Sequence, residues 1–211
     1  KMAHQSSASM LELVNDILDL SKLQAGKFEI QKEKSSIKDL IDNRIAFYKI
    51  SADSRKVIMD KYFDKNLPEF ADFDPQALKQ VLNNFISNAL KFTSSGGSVK
   101  VSAFVAGADG YWPTIDTNKY PAFPVKSDIP LDKKTLCVVV TDTGIGIPDK
   151  NLRELFHTYK QAKISPVNKD EKGTGLGLVI AKGITEAHNG KVGAVSKEGK
   201  GSSFFFTIPL S

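Results

Sequence analysis

Three glycines at alternate positions, Gly173, Gly175 and Gly177, lead straight into a helix-forming run, E-K-G-T-G-L-G-L-V-I-A-K over residues 171–182. Backbone without Cβ atoms lets amide N–H groups come close to an anion, and the positive end of the helix that follows points at the same place. The stretch reads as a phosphate cradle, and spacing narrows its type. No G-x-x-x-x-G-K-[ST] occurs in the chain, so it is not a Walker loop. After Gly175 and Gly177, the third glycine of a dinucleotide fingerprint would fall at position 180, which is Ile180. A protein-kinase glycine loop fails the same count.

Two other sets of residues could do chemistry beside it. Asn84 and Asn88 are four apart and Lys91 follows at three, a spacing that stacks side chains on one helix face. Asparagine is a mediocre helix former, so two on one row ask for a reason. A neutral amide oxygen can ligate magnesium while phosphates supply the negative charge. Two solvent-facing asparagines would leave the same pattern. Asp142 ends the apolar run L-C-V-V-V-T-D and opens a second glycine-rich turn, D-T-G-I-G-I-P, with Gly144 and Gly146.

The elements that must position these groups follow from periodicity. Residues 75–92 read as a helix with Leu78, Val81, Leu82, Phe85, Ile86 and Ala89 inward, and Asp74-Pro75 is a strong start, a cap before a first-turn proline. The unbroken apolar run at 136–142 reads as a buried central strand. The helix after the cradle reaches about His188 and ends at Asn189-Gly190, and strands near 191–197 and 203–209 form a closing hairpin.

Upstream, residues 1–25 carry a narrow apolar seam (Ala3, Ser6, Met10, Leu13, Ile17, Leu20) that stops at Gly26. It predicts one half of a helical hairpin whose other half lies outside this chain. F-E-I-Q-K (28–32) alternates like a short strand, Ser35 or Ser36 caps a helix bearing Ile37, Leu40, Ile41, Ile45 and Tyr48, and a short strand is expected at 57–59. S-V-K-V-S-A-F-V (98–105) alternates as a strand, and residues 149–160 read as a short helix with Leu152, Leu155, Phe156 and Tyr159 inward. Residues 161–172 are polar and read as a mobile segment. Residues 107–134 lose periodicity and carry four prolines, Trp112 and the aromatics Tyr111, Tyr120 and Phe123. A loop of this length is either a variable loop with no role or an aromatic docking surface for a partner domain or a second ligand.

Bulk composition excludes some classes. The 211 residues are 41% hydrophobic and 25% charged, an ordinary globular balance. The net charge of +5 suits an anionic ligand without requiring one, and no nucleic-acid partner is expected. A single cysteine, Cys137 in an apolar setting, excludes an internal disulfide framework. With no spanning apolar run or signal pattern, the chain is expected to be soluble and cytoplasmic, as a fragment of a longer parent that could itself be membrane-anchored.

Taken together, the order of motifs resembles the ATP-binding catalytic domain of sensor histidine kinases. The matching pieces are N-F-I-S-N-A-L-K-F-T (84–93), D-T-G-I-G-I (142–147), L-F-H-T-Y-K-Q (155–161), G-T-G-L-G-L (173–178) and G-S-S-F-F-F-T-I-P-L (201–210). The first helix resembles the second helix of that family's dimerisation hairpin. The resemblance covers nearly all of the chain except 107–134. It implies an α+β, Bergerat-type two-layer sandwich, a mixed sheet with helices on one face, preceded by the long N-terminal helix. Residues 1–26 would be hairpin and 27–211 catalytic domain, with an insertion at 107–134. It implies ATP and Mg2+ as cofactors, Asn88 as the main magnesium ligand with Asn84 in support, and Lys91 toward phosphate. Asp142 would accept a hydrogen bond from the adenine amine, where guanine presents an oxygen and is repelled. Gly144 and Gly146 would pass close to the base, and Gly173, Thr174, Gly175, Leu176 and Gly177 would form the lid hinge over the phosphates. Tyr159 stands in the pocket where the family has a phenylalanine, and Ser203 would be the hydroxyl near the base.

The gyrase and chaperone ATPases of the superfamily place a glutamate where this chain has Asn84, and an amide cannot act as that general base. Transfer to an external acceptor is therefore expected. The family's phosphorylated histidine sits in H-[ED]-L-R-x-P, and none of His4, His157 and His188 has that context. The expected partners are a missing upstream phosphoacceptor helix, a second copy joined through the hairpin, and a response-regulator receiver domain. This fragment is expected to bind Mg-ATP without autophosphorylating. The rival reading is a nucleotide-sensing pseudokinase that works through protein contacts. A serine kinase of the anti-sigma type shares the pocket but lacks the hairpin seam.

Overall fold

The computed structural model describes residues 2–107, 118–120, 122–124, 134–152, 154–156 and 175–210. The described residues form, in order, α1 (Met2–Gln24), β1 (Glu33–Ser35), α2 (Ile37–Ser54), β2 (Ile58–Phe63), β3 (Ala71–Phe73), α3 (Pro75–Phe92), β4 (Ser98–Ala106), β5 (Thr135–Asp142), α4 (Asp149–Leu152), α5 (Gly177–Ala187), β6 (Val192–Lys197) and β7 (Gly201–Pro209). The main sheet has strand order β2-β4-β5-β7-β6, with β2 parallel to β4 and every other pair antiparallel. It is the mixed sheet of an α+β fold.

Strand alternation decides which residues meet the helices. Val99, Val101, Ala103 and Val105 of β4, Leu136, Val138 and Val140 of β5, and Phe204, Phe206 and Ile208 of β7 share one core with α2, α3 and α5. Phe85 of α3 anchors it, with its ring 5.6 Å from Phe204 and 6.3 Å from Phe206. The odd residues of β5 face the other way. Cys137 and Val139 join Phe104, Ala106 and Phe205 in a second cluster, closed by Tyr120 and Phe123. Those two aromatics of the 107–134 stretch are therefore turned onto the sheet. They are not free to form a docking surface, and the other insertion aromatics, Tyr111 and Trp112, lie outside the described residues.

Three local expectations are displaced. The strand expected at 28–32 forms at Glu33–Ser35 instead, because β3 offers a partner only there, in the register Glu33 to Phe73 and Ser35 to Ala71. Phe28 and Ile30 keep the alternation but pack on the core without a ladder. Among the described residues, the helix expected at 149–160 is α-helical only over Asp149–Leu152. It continues as a turn through short-range bonds, Glu154 N–H to Asn151 O and Leu155 N–H to Leu152 O. Leu155 is buried and Leu152 and Phe156 pack beside it, as expected, whereas Tyr159 lies outside the described residues. The third displacement concerns α1, whose lower end is not an open seam. Leu20 is buried, Leu23 packs against Gly183 of α5, and Gln80 Nε2 donates to Asp19 Oδ2 at 2.9 Å. Leu13, Val14, Ile17 and Leu18 above them stay exposed. No described helix is long and apolar enough to cross a membrane.

His188 joins the ends of two helices that carry the site. Its Nε2 accepts the Asp74 N–H at 3.1 Å, so Nδ1 carries the proton and donates to Ile184 O at 2.8 Å. Asp74 in turn caps α3, accepting from Gln76 and Ala77 N–H. Burial lowers the His188 pKa from the ordinary 6.5. Because the folded value is the lower one, the contribution is complete above the unfolded pKa and is lost as pH falls through the folded pKa. A protonated Nε2 would face the Asp74 N–H, donor against donor. His188→Gln is expected to flatten the fall of the thermal midpoint below pH 6.5 relative to the parent chain, and parallel pH profiles of the two would contradict this role.

Candidate functional site

Asp142 ends β5 almost wholly buried, on the sheet face that meets the helices. Its Oδ1 accepts the Gly144 N–H at 2.7 Å and the Ser202 N–H at 3.3 Å, which leaves Oδ2 unpaired among the described residues. Burial pushes the carboxyl up to about 7, against the pull of those two N–H groups. An unpaired acceptor held rigidly at a strand end suits a ligand that brings a hydrogen-bond donor.

The turn that follows is fastened on both sides. Ile145 N–H donates to the Phe92 carbonyl at the end of α3, Gly199 N–H donates to Ile145 O, and Ile147 N–H donates to Ser196 Oγ at 2.7 Å. A Cβ on Gly144 would collide with the Phe92 carbonyl and lie 2.7 Å from Asp142 Oδ1, so only glycine lets the turn close over the carboxylate. Gly146, at φ +69°, sits against the Lys197 carbonyl.

One helix spans the distance from this turn to the cradle. Phe92 touches the Asp142 turn, and Asn84, eight residues earlier or about 12 Å along α3, donates from Nδ2 to the Gly177 carbonyl at 2.9 Å. Asn88 and Lys91 lie between, both half-buried. Lys91 Nζ sits 5.4 Å above the Phe92 ring, at the end of the row nearer Asp142. Gly175 (φ +74°) and buried Leu176 lead into α5, whose N-cap Leu176 offers no side-chain hydrogen bond to the first-turn amides. Those amides are the orphan donors of a helix start, a natural place for anionic oxygens. The structure thus brings together Asp142, Gly144, Gly146, Asn84, Asn88, Lys91, Gly175, Leu176 and Gly177. Gly173, Thr174 and Tyr159 lie outside the described residues.

Ser203 is the residue that the structure moves away. Asp142 pairs in register with Ser202, and Thr141 with Ser203. Ser203 therefore shares the opposite sheet face with Thr141, fully buried, the two hydroxyls 2.7 Å apart. The hydroxyl beside Asp142 belongs to Ser202, and its Oγ meets Ser196 Oγ at 2.9 Å. A one-residue offset flips a strand side chain to the other face. Ser196 belongs to none of the sequence motifs, yet it joins the Asp142 turn to the hairpin. A cavity of about 410 Å3 lies elsewhere, between Phe156, Lys182 and Glu186 of α5, and β6, and none of these site residues lines it.

The donor set can be tested against the implied groups. A buried acceptor at one end, uncapped helix amides at the other and two amide side chains between them fit an adenine nucleotide laid along α3. No cluster of three or more His, Cys, Asp or Glu residues that could hold a metal exists among the described residues. A magnesium ion here would rely on an amide oxygen, with phosphates supplying the charge, which suits its habit of binding with its substrate.

The pKa of Asp142 gives a pH test. A donor from the ligand favours the ionised carboxylate, so binding must release a proton below about pH 7. Affinity for adenosine, which carries no titrating phosphate, is expected to rise roughly tenfold per pH unit toward about pH 7 and to level off above it. An affinity that stays constant across that range would contradict the site.

Known proteins are similar to this chain in sequence and in fold. The family described as histidine kinase-, DNA gyrase B-, and HSP90-like ATPase matches residues 73–211. The non-motile and phage-resistance protein of Caulobacter vibrioides is 35% identical over 207 residues, covering 98% of this chain and 22% of that protein. Histidine protein kinase DivJ of the same organism is 30% identical over 210 residues, covering 100% of this chain and 30% of its own length. The crystal structure of full-length ShkA in complex with AMPPNP superposes with a TM-score of 0.74 at 26% identity, covering 98% of this chain and 37% of that one. The chain thus spans under two fifths of each of these proteins. It belongs to the histidine kinase-, DNA gyrase B-, and HSP90-like ATPase family, and its relatives include the histidine protein kinase DivJ.

Proposed function

We propose that this chain is the phosphoryl-donor part of a sensor histidine kinase. It binds Mg-ATP and passes the γ-phosphate to a histidine on an upstream helix, for onward transfer to a response-regulator aspartate. Residues 1–26 form the second helix of the dimerisation hairpin and 27–211 the catalytic domain, with an insertion at 107–134. The exposed Leu13, Val14, Ile17 and Leu18 supply an apolar face for the missing helix. The need for ATP puts the domain in the cytoplasm, whether or not the parent is anchored.

The observation that carries this reading is one amide row with a nucleotide end and a phosphate end, Asp142 with its turn on one side and the uncapped start of α5 on the other. Asp142 Oδ2 accepts from the adenine amine and rejects guanine, whose oxygen would face it. The α5 amides and Lys91 hold phosphate oxygens, and Asn88 ligates magnesium. Magnesium, when bound, offsets charge on the phosphates during transfer. No carboxylate occupies the row to activate water, so hydrolysis is left without a base.

Calorimetric titration with ATP and GTP, each with and without Mg2+, tests the pocket. ATP is expected to bind at least about tenfold tighter than GTP, the worth of one lost and one repelling contact. Equal affinities would overturn the assignment of Asp142.

A further inference from the structure

We propose that Asn84 is a positioning residue that clamps Gly177, at the start of α5, to α3. The proposal rests on the phosphoryl-donor reading. Only the nitrogen of an amide can donate to a carbonyl, so the 2.9 Å bond to Gly177 O fixes which end of the Asn84 side chain is which. Its oxygen is then held over Gly177, where an added Cβ would stand 2.6 Å from Oδ1 and 3.0 Å from Cγ. The side chain is thus committed at both ends to one glycine. A carbonyl oxygen has two lone pairs and the helix ladder uses one, so the clamp leaves α5 intact. Leu176 supplies no side-chain cap, so Asn84 fixes the first turn whose amides face the phosphates. Asn88, one turn on, is half-buried on the same row and is not drawn into this clamp.

The two roles respond oppositely to charge. A carboxylate is a better magnesium ligand than an amide. It cannot donate to Gly177 O, however, and its charge repels that oxygen. For a clamp, Asn84→Asp and Asn84→Ala are therefore expected to lose Mg-ATP affinity alike, about tenfold, the worth of one such bond. Adenosine affinity, set at Asp142, stays unchanged, as does the ratio of ATP affinities with and without Mg2+. Asn88→Ala is expected to lose that ratio. Hydrogen exchange of the Ile180 amide, which donates to Leu176 O across the start of α5, rises in both Asn84 variants even without nucleotide.

A reciprocal variant guards against simple misfolding. Gly177→Ala is expected to be as damaging as Asn84→Ala in the parent chain, yet nearly neutral in an Asn84→Ala background, where the three atoms nearest the new methyl group are gone. Wild-type or tighter Mg-ATP binding by Asn84→Asp overturns the clamp in favour of a ligand, and so do unchanged exchange at α5 or independent effects of the two Ala substitutions. If the parent chain binds no ATP, the donor reading falls instead, and the exchange and stability measurements still decide the clamp.

Discussion

Replacing Asp142 by asparagine is expected to weaken adenine-nucleotide binding about a hundredfold and to leave the fold at least as stable. The Gly144 and Ser202 N–H groups both point at Oδ1, so the amide oxygen must take that place. The amide nitrogen is then turned toward the ligand, donor against donor. Losing a hydrogen bond to a charged group and leaving a buried donor unpaired together cost about 3 kcal/mol, which is roughly two factors of ten in affinity. The fold responds the other way. The folded pKa of about 7 lies above the ordinary 3.8. Stability from this group is therefore present at low pH and is lost as pH rises through about 7, a penalty on the order of a few kcal/mol. The amide cannot ionise, so above about pH 7 the variant should unfold at a higher temperature than the parent. A variant that both binds weakly and melts early would show instead that Asp142 is structural.

Truncating Tyr120 to alanine is expected to destabilise the chain by about 3–5 kcal/mol, the range for removing a large buried aromatic ring. Tyr120 is 1% exposed, packs with Phe104, Cys137, Val139 and Phe205, and lies beneath the ammonium groups of Lys100 and Lys119, 5.5 and 5.2 Å from its ring. Its hydroxyl is buried without a hydrogen-bond partner among the described residues. Tyr120→Phe should therefore be neutral or stabilising, since it removes an unsatisfied group and keeps the ring. Denaturant unfolding of the pair separates ring from hydroxyl. Neither change should alter ATP affinity below the unfolding transition, because the ring lies on the sheet face away from α3. If Tyr120→Ala left stability untouched, the Tyr120 ring would be an ornament on the sheet rather than part of its cover.

These two residues mark where the sequence is readable and where it is not. Asp142 was legible because its strand is an unbroken apolar run ending at a glycine turn, a pattern that few other arrangements produce. The row Asn84, Asn88, Lys91 was legible because helical spacing is local, and the structure keeps it on one helix. Tyr120 was not legible, since nothing in an aperiodic, proline-rich stretch says which sheet face it will meet. Ser202 and Ser203 failed for a subtler reason. Three consecutive phenylalanines follow them, so apolar alternation carries no parity, and only the register with β5 tells which hydroxyl lies beside Asp142. Likewise β3 is three residues long and exists because Glu33–Ser35 pairs with it, a long-range fact. The Asn84 bond to Gly177 joins residues 93 apart and was equally out of reach.

The donor reading is tested most directly by supplying the acceptor. The chain would be mixed with the upstream hairpin helix of its parent protein and γ-labelled Mg-ATP, and acid-labile phosphohistidine followed with time. Label is expected on the histidine of the added helix, none on the chain incubated alone, and none when the Asp142→Asn variant takes the place of the parent chain. Tight Mg-ATP binding with no label on the added helix, or label on His4 of the chain alone, would contradict it.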